Sequence, residues 1–439
     1  MRSIPPAFLI LAVLLSTPTR VTAQASRPAP DPAVGEQAYK DNCARCHGPT
    51  GAGDGRDAAR IFPRPRPLSE GVFKFRTTAS GTPPTDEDLF GTITGGLPGS
   101  RMPDFTRLPE ETRWQLVEYV KGLSPAFADQ KPEPIPLGTD PGRPKANLQR
   151  GQELYKQLGC NACHGNLGRG DGPSAPTLVD QWNEPIQAAD LTQGWSYRSG
   201  SEPKEILTRL MTGIDGTPMP SYAEAVSAAE VWDLAYYVHS LQVKPRWSRT
   251  VEAAPAAGKL PEGEQDAQWE AIPWSDLRLS GNLYREGRVV PSRVNAISVK
   301  ALYNDEEIAF LLAWQDRTES RESPPDAAAL AFLPDPRQRE SFGSLRNWSA
   351  GPDAPTLDLR MWSAEKEARE GASYTDGRWT VLLRRPLKAG AGGVNLSAGK
   401  RVPLGVMVWD GGNGEQGRHR SNSLWINLVL TSNAKETQE

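Results

Sequence analysis

Four cysteines, arranged as two copies of one five-residue pattern, constrain this 439-residue chain more than any other feature. They read Cys43-Ala44-Arg45-Cys46-His47 and Cys160-Asn161-Ala162-Cys163-His164. A Cys-x-x-Cys-His run is the attachment signature of c-type haem. Two thiols three positions apart share one side of a helical turn, where they can add to the two vinyl groups of one porphyrin. The adjacent His then lies beneath the iron as proximal ligand. Two covalent haem c groups use all four cysteines, so no disulfide and no iron–sulfur cluster is expected. A thioredoxin-like redox pair would need a βαβ context that is missing here, and an adjacent Cys and His are poorly spaced for one tetrahedral zinc.

The motif sits inside a longer internal repeat. Gly35, Tyr39 and Cys43 return as Gly151, Tyr155 and Cys160, and the match runs on into Gly53-Asp54-Gly55 and Gly170-Asp171-Gly172. Leu68 to Gly71 aligns with Leu191 to Gly194, and helical segments beginning at Trp114 and Trp232 close the two units. Such self-similarity implies a duplicated domain. Of the six Met in the chain, Met102 and Met219 each lie 55 residues after the motif His and each precede a Pro. A residue before Pro is held in extended backbone rather than helix, and thioether sulfur is a known sixth ligand opposite His. Met102 and Met219 are therefore the expected partners of His47 and His164. Met211 has Thr94 as its counterpart and reads as a helix core residue.

Arg76 and Arg198 occupy matching places after an aromatic, and a guanidinium suits a haem propionate. The Gly-x-Gly-Asp-Gly turns lack the Gly-Lys-Ser/Thr ending of a phosphate loop and are expected to let the backbone turn closely over the haem. A carbonyl near Pro63 or Pro65, or near Pro176, is expected to accept the proximal His N–H. His239, matched by Lys121, reads as a non-ligand.

Residues 33–243 resemble class I cytochrome c, and more narrowly the diheme cytochromes whose units are similar to haem subunits of terminal oxidases. Phe73, Phe75 and Arg76, followed by Pro84 to Leu89, carry the narrower likeness. The resemblance implies a small helical fold wrapped round each haem, with one edge of each macrocycle exposed.

Beyond Pro245 lie nine of the 13 Trp, and the hydrophobic pattern changes to period two. Strands are expected through Ile308 to Trp314, Trp379 to Leu383 and Leu424 to Leu430, with a hairpin turn at Asn304-Asp305-Glu306. An antiparallel sandwich follows. Residues 301–314, 377–387 and 408–412, with Ser423 to Trp425, resemble the haem b-binding gamma subunits of ethylbenzene and dimethyl sulfide dehydrogenases. Those subunits hold haem b with Met and Lys and pass electrons for molybdenum enzymes. Here residues 326–334 contain no Met, and His419 and Arg420 stand where a Lys would be sought. The domain is therefore expected to keep the scaffold without haem b. Met361 and Met407 read as strand core, and His419 as an exposed loop residue; these three are the fallback ligands.

The expected architecture is two all-α cytochrome c domains followed by an all-β sandwich. Its boundaries are a signal peptide at 1–25, cytochrome domains at 26–128 and 143–243, a Pro-rich linker at 129–142, a second linker at 244–264, and the β domain at 265–439. Arg2 followed by the short apolar run Ala7 to Leu15 is too short to span a bilayer and reads as an export signal. No later segment qualifies as a span, so a periplasmic location is expected. A net charge of −3 and the lack of a basic run leave no case for nucleic acid. With Met and His on both irons, the expected role is electron transfer to or from a periplasmic redox partner, a molybdenum oxidoreductase by the second resemblance. The alternatives are a haem enzyme, such as a diheme peroxidase or small-molecule dehydrogenase, which would need an open iron position, and a docking protein whose β domain binds the partner.

Overall fold

A computed structural model describes residues 27–281, 292–334, 357–365 and 371–432. The expected export signal lies outside the described residues. No helix among them is long and apolar enough to cross a membrane.

The first helical unit contains α1 (Pro32–Asn42), α2 (Ala44–His47), α3 (Asp86–Gly95), α4 (Glu110–Gly122) and α5 (Ala126–Asp129). The second contains α6 (Leu148–Gln157), α7 (Cys160–His164), α8 (Pro203–Thr212) and α9 (Ala228–Ser240). Their starts are chemically marked. Asp31 caps α1 ahead of Pro32, and Thr85 with Asp88 and Ser227 with Glu230 form reciprocal capping boxes on α3 and α9. In each unit the first helix crosses a long later one, α1 with α4 and α6 with α9, beside a tyrosine pair: Tyr39 with Tyr119 at 4.9 Å and Tyr155 with Tyr237 at 5.6 Å between ring centroids. Leu116 and Val117 of α4 and Leu234 and Ala235 of α9 are fully buried at these crossings.

The Pro-rich segment 129–142 is pinned to both units. Ile135 N donates to Thr77 O at 2.9 Å, Trp232 Nε1 donates to Leu137 O at 3.0 Å, and Tyr236 donates its hydroxyl to Asp140 at 2.9 Å.

The segment 244–264, expected as a linker, instead opens the β domain. It supplies β1 (Thr250–Pro255), and Leu260 beyond it is buried against the sheet. The other strands are β2 (Ser275–Arg278), β3 (Ser280–Gly281), β4 (Ala296–Tyr303), β5 (Glu307–Gln315), β6 (Ala327–Phe332), β7 (Asp358–Ser363), β8 (Ala372–Thr375), β9 (Arg378–Pro386), β10 (Arg401–Trp409), β11 (Ser421–Asn422) and β12 (Ile426–Leu430). The sheet is mixed rather than antiparallel throughout, because β1 runs parallel to both β12 and β4. A strand arriving from the helical units enters between two strands already paired elsewhere, and its direction is set by where it comes from. The expected hairpin is present: Asn304 Oδ1 accepts from Glu306 N and Glu307 N between β4 and β5.

The two halves of the sheet face each other. Phe310 of β5 meets Phe332 of β6 at 6.1 Å, and Trp362 of β7 meets Trp314 and Trp379 at 5.9 and 4.8 Å, although these strands are not sheet neighbours. Strand β6 is buried on both faces, so a continuous apolar run replaces alternation there. Met407 is fully buried, as its strand position implies, whereas Met361 is 58% exposed. Among the described residues β7 pairs only with β6, and its edge position leaves that side chain outside.

Candidate haem sites

In both units the helix before the motif ends just short of it, and a short second helix, α2 or α7, carries the Cys and His. The turn after the motif is then fixed twice over. Tyr39 donates its hydroxyl to Gly48 O at 2.8 Å, and Tyr155 does the same to Gly165 O at 2.7 Å. Gly48 and Gly165 adopt φ of 79° and 76°, and a Cβ on either would meet the carboxylate of Asp54 or Asp171 within 2 Å. Only glycine satisfies both constraints, which accounts for the shared Gly after each motif and for the Asp six residues further on.

The proximal histidines are oriented by backbone. His47 Nδ1 pairs with Arg66 O and His164 Nδ1 with Ala189 O, each at 2.9 Å. Such a bond to the backbone fixes the tautomer and leaves Nε2 as the lone-pair nitrogen facing the cavity. Arg66 adjoins Pro65, as expected for the first unit, whereas in the second unit Ala189 lies well beyond Pro176. Arg66 and Ala189 both stand two residues before the aligned Leu68 and Leu191, so extending the repeat alignment by two positions would have found them. Burial holds both imidazoles below the ordinary histidine value, with the Arg317 charge adding to the effect at His164. A neutral imidazole is the ligating form. Burial also pushes the Cys43 thiol up to about 12 and raises Cys46 and Cys160, and all four cysteines are unpaired.

Met102 and Met219 sit in loops built to one plan. Leu97 N donates to Met102 O and Ile214 N to Met219 O, each at 3.1 Å. Met102 N donates to Ser100 Oγ at 3.1 Å and Met219 N to Thr217 Oγ1 at 3.2 Å, and both hydroxyls donate in turn to the Leu97 and Ile214 carbonyls at 2.7 Å. Sequence reading missed Ser100 and Thr217; a hydroxyl two residues before each Met was the available signal.

Each constellation lines one cavity. Cys43, Cys46, His47 and Met102 line the first, and Cys160, Cys163, His164 and Met219 line the second, whose volume is about 670 Å³. Met211 lies in α8 and packs against the helical core without lining either cavity. The donor set suits haem: two free thiols, a neutral imidazole with Nε2 available, and a thioether meet in one apolar space. The two cavities abut, because Pro63, Lys74, Phe75, Ser100, Arg101 and Arg198 belong to the walls of both.

The two arginines expected at propionates fare differently. Arg198 lines both cavities, and burial lowers its pKa. Arg76 lines neither. Its side chain is fully buried in the seam between the helical units, paired with Asp215 at 2.8 Å and donating to Phe73 O, Ala79 O and Thr212 O. Asp215 also accepts from Ser80 and Gly81 of the first unit. The repeat alignment equates the two arginines, but only one face of each unit meets the other, so duplicated positions acquire different neighbours. Asp215→Ala would leave the Arg76 charge buried without its partner. We expect it to cost about 3–5 kcal/mol, measurable by denaturant unfolding of the helical units.

His419, expected as an exposed loop residue, is half-buried and lines the second cavity together with Arg293, Arg317 and Asp410 of the β domain. Arg420 is buried, bonded to Asn422 Oδ1 at 2.7 Å and to Gly417 O at 2.6 Å.

Comparison with known proteins finds three family models that match separate parts of the chain. The model for cbb3-type cytochrome c oxidase subunit III matches residues 30–120, that for cytochrome c matches 148–242, and that for ethylbenzene dehydrogenase matches 326–421. The cbb3-type cytochrome c oxidase subunit CcoP of an Azospirillum strain is 26% identical over 228 residues, covering 48% of this chain and 62% of that subunit. The chain thus spans less than two thirds of that relative. Chlorate reductase subunit gamma of Ideonella dechloratans is 25% identical over 195 residues, covering 39% of this chain and 80% of that subunit. A solved reducing HAO-like protein complex of Kuenenia stuttgartiensis contains a chain 42% identical, covering 48% of this chain and 96% of its own, with a TM-score of 0.46.

Proposed function

As a chain that joins cytochrome c domains to a domain of the ethylbenzene dehydrogenase family, this protein is, we propose, an exported diheme electron carrier serving a periplasmic oxidoreductase of the molybdenum type. The observation that carries the two-centre reading is the shared wall between the cavities, whose linings have six residues in common. In this reading His47 with Met102 and His164 with Met219 would hold the two irons. Cys43, Cys46, Cys160 and Cys163 tether the two groups, and Arg198 faces the propionates. Haem c supplies a one-electron ferric/ferrous couple, and Met/His ligation favours a high potential. With a His and a Met available to hold each iron, no coordination site would be left for a substrate, which favours a carrier over a peroxidase or dehydrogenase.

The assignment of the partner rests on the matched ethylbenzene dehydrogenase family and on the likeness to a chlorate reductase gamma subunit. The β domain, in this proposal, holds no haem b and serves as the docking and packing module. Acid–acetone extraction of the purified protein tests the haem assignment. Two haems per chain are expected to stay on the polypeptide and none to be extracted. Retention of only one would sink the diheme reading, and one extractable haem b per chain would overturn the haem-free β domain and direct attention to His419.

A further inference from the structure

The β domain reaches the second cavity through the end of β5 and the loop that follows it. The Gln315 side chain exchanges hydrogen bonds with Thr192 and accepts from Gln193 Nε2 at 2.9 Å. Two residues on, Arg317 Nη2 donates to Ala188 O at 3.2 Å. The next carbonyl in the chain, Ala189 O, is the one that receives His164 Nδ1. The guanidinium is tightly seated: a Cβ on Gly170, in the turn after the second motif, would fall 2.7 Å from Arg317 Nη2 and 2.6 Å from Ala188 O. Arg317 also lines the cavity beside Cys163, His164 and Met219. Nothing comparable occurs in the first unit, whose cavity is lined by no β-domain residue among those described.

We propose that Arg317 is a positioning residue for the second haem, through which the β domain clamps the loop carrying the His164 acceptor and raises that haem's midpoint potential relative to the first. The inference rests on the two-haem reading above. Its physical basis is charge and place. Oxidation adds a positive charge at the iron, and a cation fixed in a poorly solvated wall opposes that addition more than it would in water. The carboxylates of Asp171, Asp190 and Asp410 face Arg317 and offset part of its field, whereas Arg293 reinforces it. Because the guanidinium is held by backbone, its charge stays in position in both redox states.

Full-length Arg317→Gln and Arg317→Lys proteins, titrated spectroelectrochemically beside the wild type, provide the test. The wild-type haem content is read first: one haem per chain defeats the diheme reading itself, and two allow the test to proceed. R317Q is expected to lower one of the two midpoint potentials by about a tenfold change in the reduced-to-oxidised ratio, about 59 mV for one electron. The other potential and the Met/His spectral signature should stay unchanged. R317K keeps the charge and is expected to recover most of the shift. Gln315→Ala loosens the same seam without changing charge and should leave both potentials near the wild type. The proposal is overturned if R317Q moves neither potential or both equally, or if R317K or Q315A falls as far as R317Q.

Discussion

If the proposed ligation holds, replacing Met219 by Ala is expected to make the second iron accessible to carbon monoxide in the ferrous state and to lower its potential, with Met102→Ala doing the same at the first. The thioether favours ferrous iron, so its loss shifts the couple toward ferric. Axial ligands move haem potentials over about 0.8 V across proteins, so this effect should exceed that of any single charge near the cavities. The loop geometry makes the substitution local. The bonds from Ile214 N to Met219 O and from Met219 N to Thr217 Oγ1 involve backbone atoms of residue 219 and survive the change. Met211 provides the contrast, since it packs in the helical core. Met211→Ala should cost on the order of 2 kcal/mol of stability while leaving the iron closed to carbon monoxide. An unchanged spectrum in M219A, with carbon monoxide binding in M211A, would reverse the assignment.

The second large effect is expected in the β domain, at three buried carboxylates. Asp316, Asp326 and Asp410 bring oxygens within 4.8 Å of one another. Asp326 receives Ser320 N at 2.7 Å, Gly411 N at 2.8 Å and Trp379 Nε1 at 3.0 Å, tying the loops after β5 and β10 to β9. Asp326→Ala orphans all three donors at about 1–3 kcal/mol each, a total comparable with the whole stability of a domain. Loss of the cooperative β-domain transition in denaturant is the expected result, and a wild-type midpoint would refute the role. Asp316→Asn should act in the opposite sense. Burial first, then the charges of Asp410 and Asp326, hold the Asp316 carboxyl well above its ordinary value. A group whose folded pKa is raised contributes stability that is complete below about pH 4, the unfolded value. That stability is lost as pH rises through the folded value. The wild-type β domain should therefore weaken from acid toward neutral and alkaline pH, and D316N should flatten that slope and be the more stable protein at the alkaline end. Thermal unfolding across pH decides it.

Much of the chemistry was legible before any coordinates. The Cys and His spacing is covalent logic confined to one helical turn, and the 117-residue offset from Met102 to Met219 matched the offset between motifs. The β4–β5 turn was readable because Asn304 caps its own neighbours. Duplication also misled. It equated Arg76 with Arg198, although Arg76 lies in the seam with Asp215 and Arg198 lines both cavities. Composition misled at 244–264, where proline and glycine suggested a linker but the chain enters the sheet as β1.

The sequence by itself determined what depends on near neighbours: the haem attachment motifs, the repeat, and the change to period-two strands. Tertiary structure alone decided which parts meet. The shared wall between the cavities, the burial of Arg76, the clustering of Asp316, Asp326 and Asp410, and the contact of Arg317 with Ala188 all join residues far apart in the chain. Local pattern reports only the periodicity and dihedral preferences of a segment, whereas these contacts arise when whole faces pack and exclude water. Two identical sequence positions then become different chemical environments.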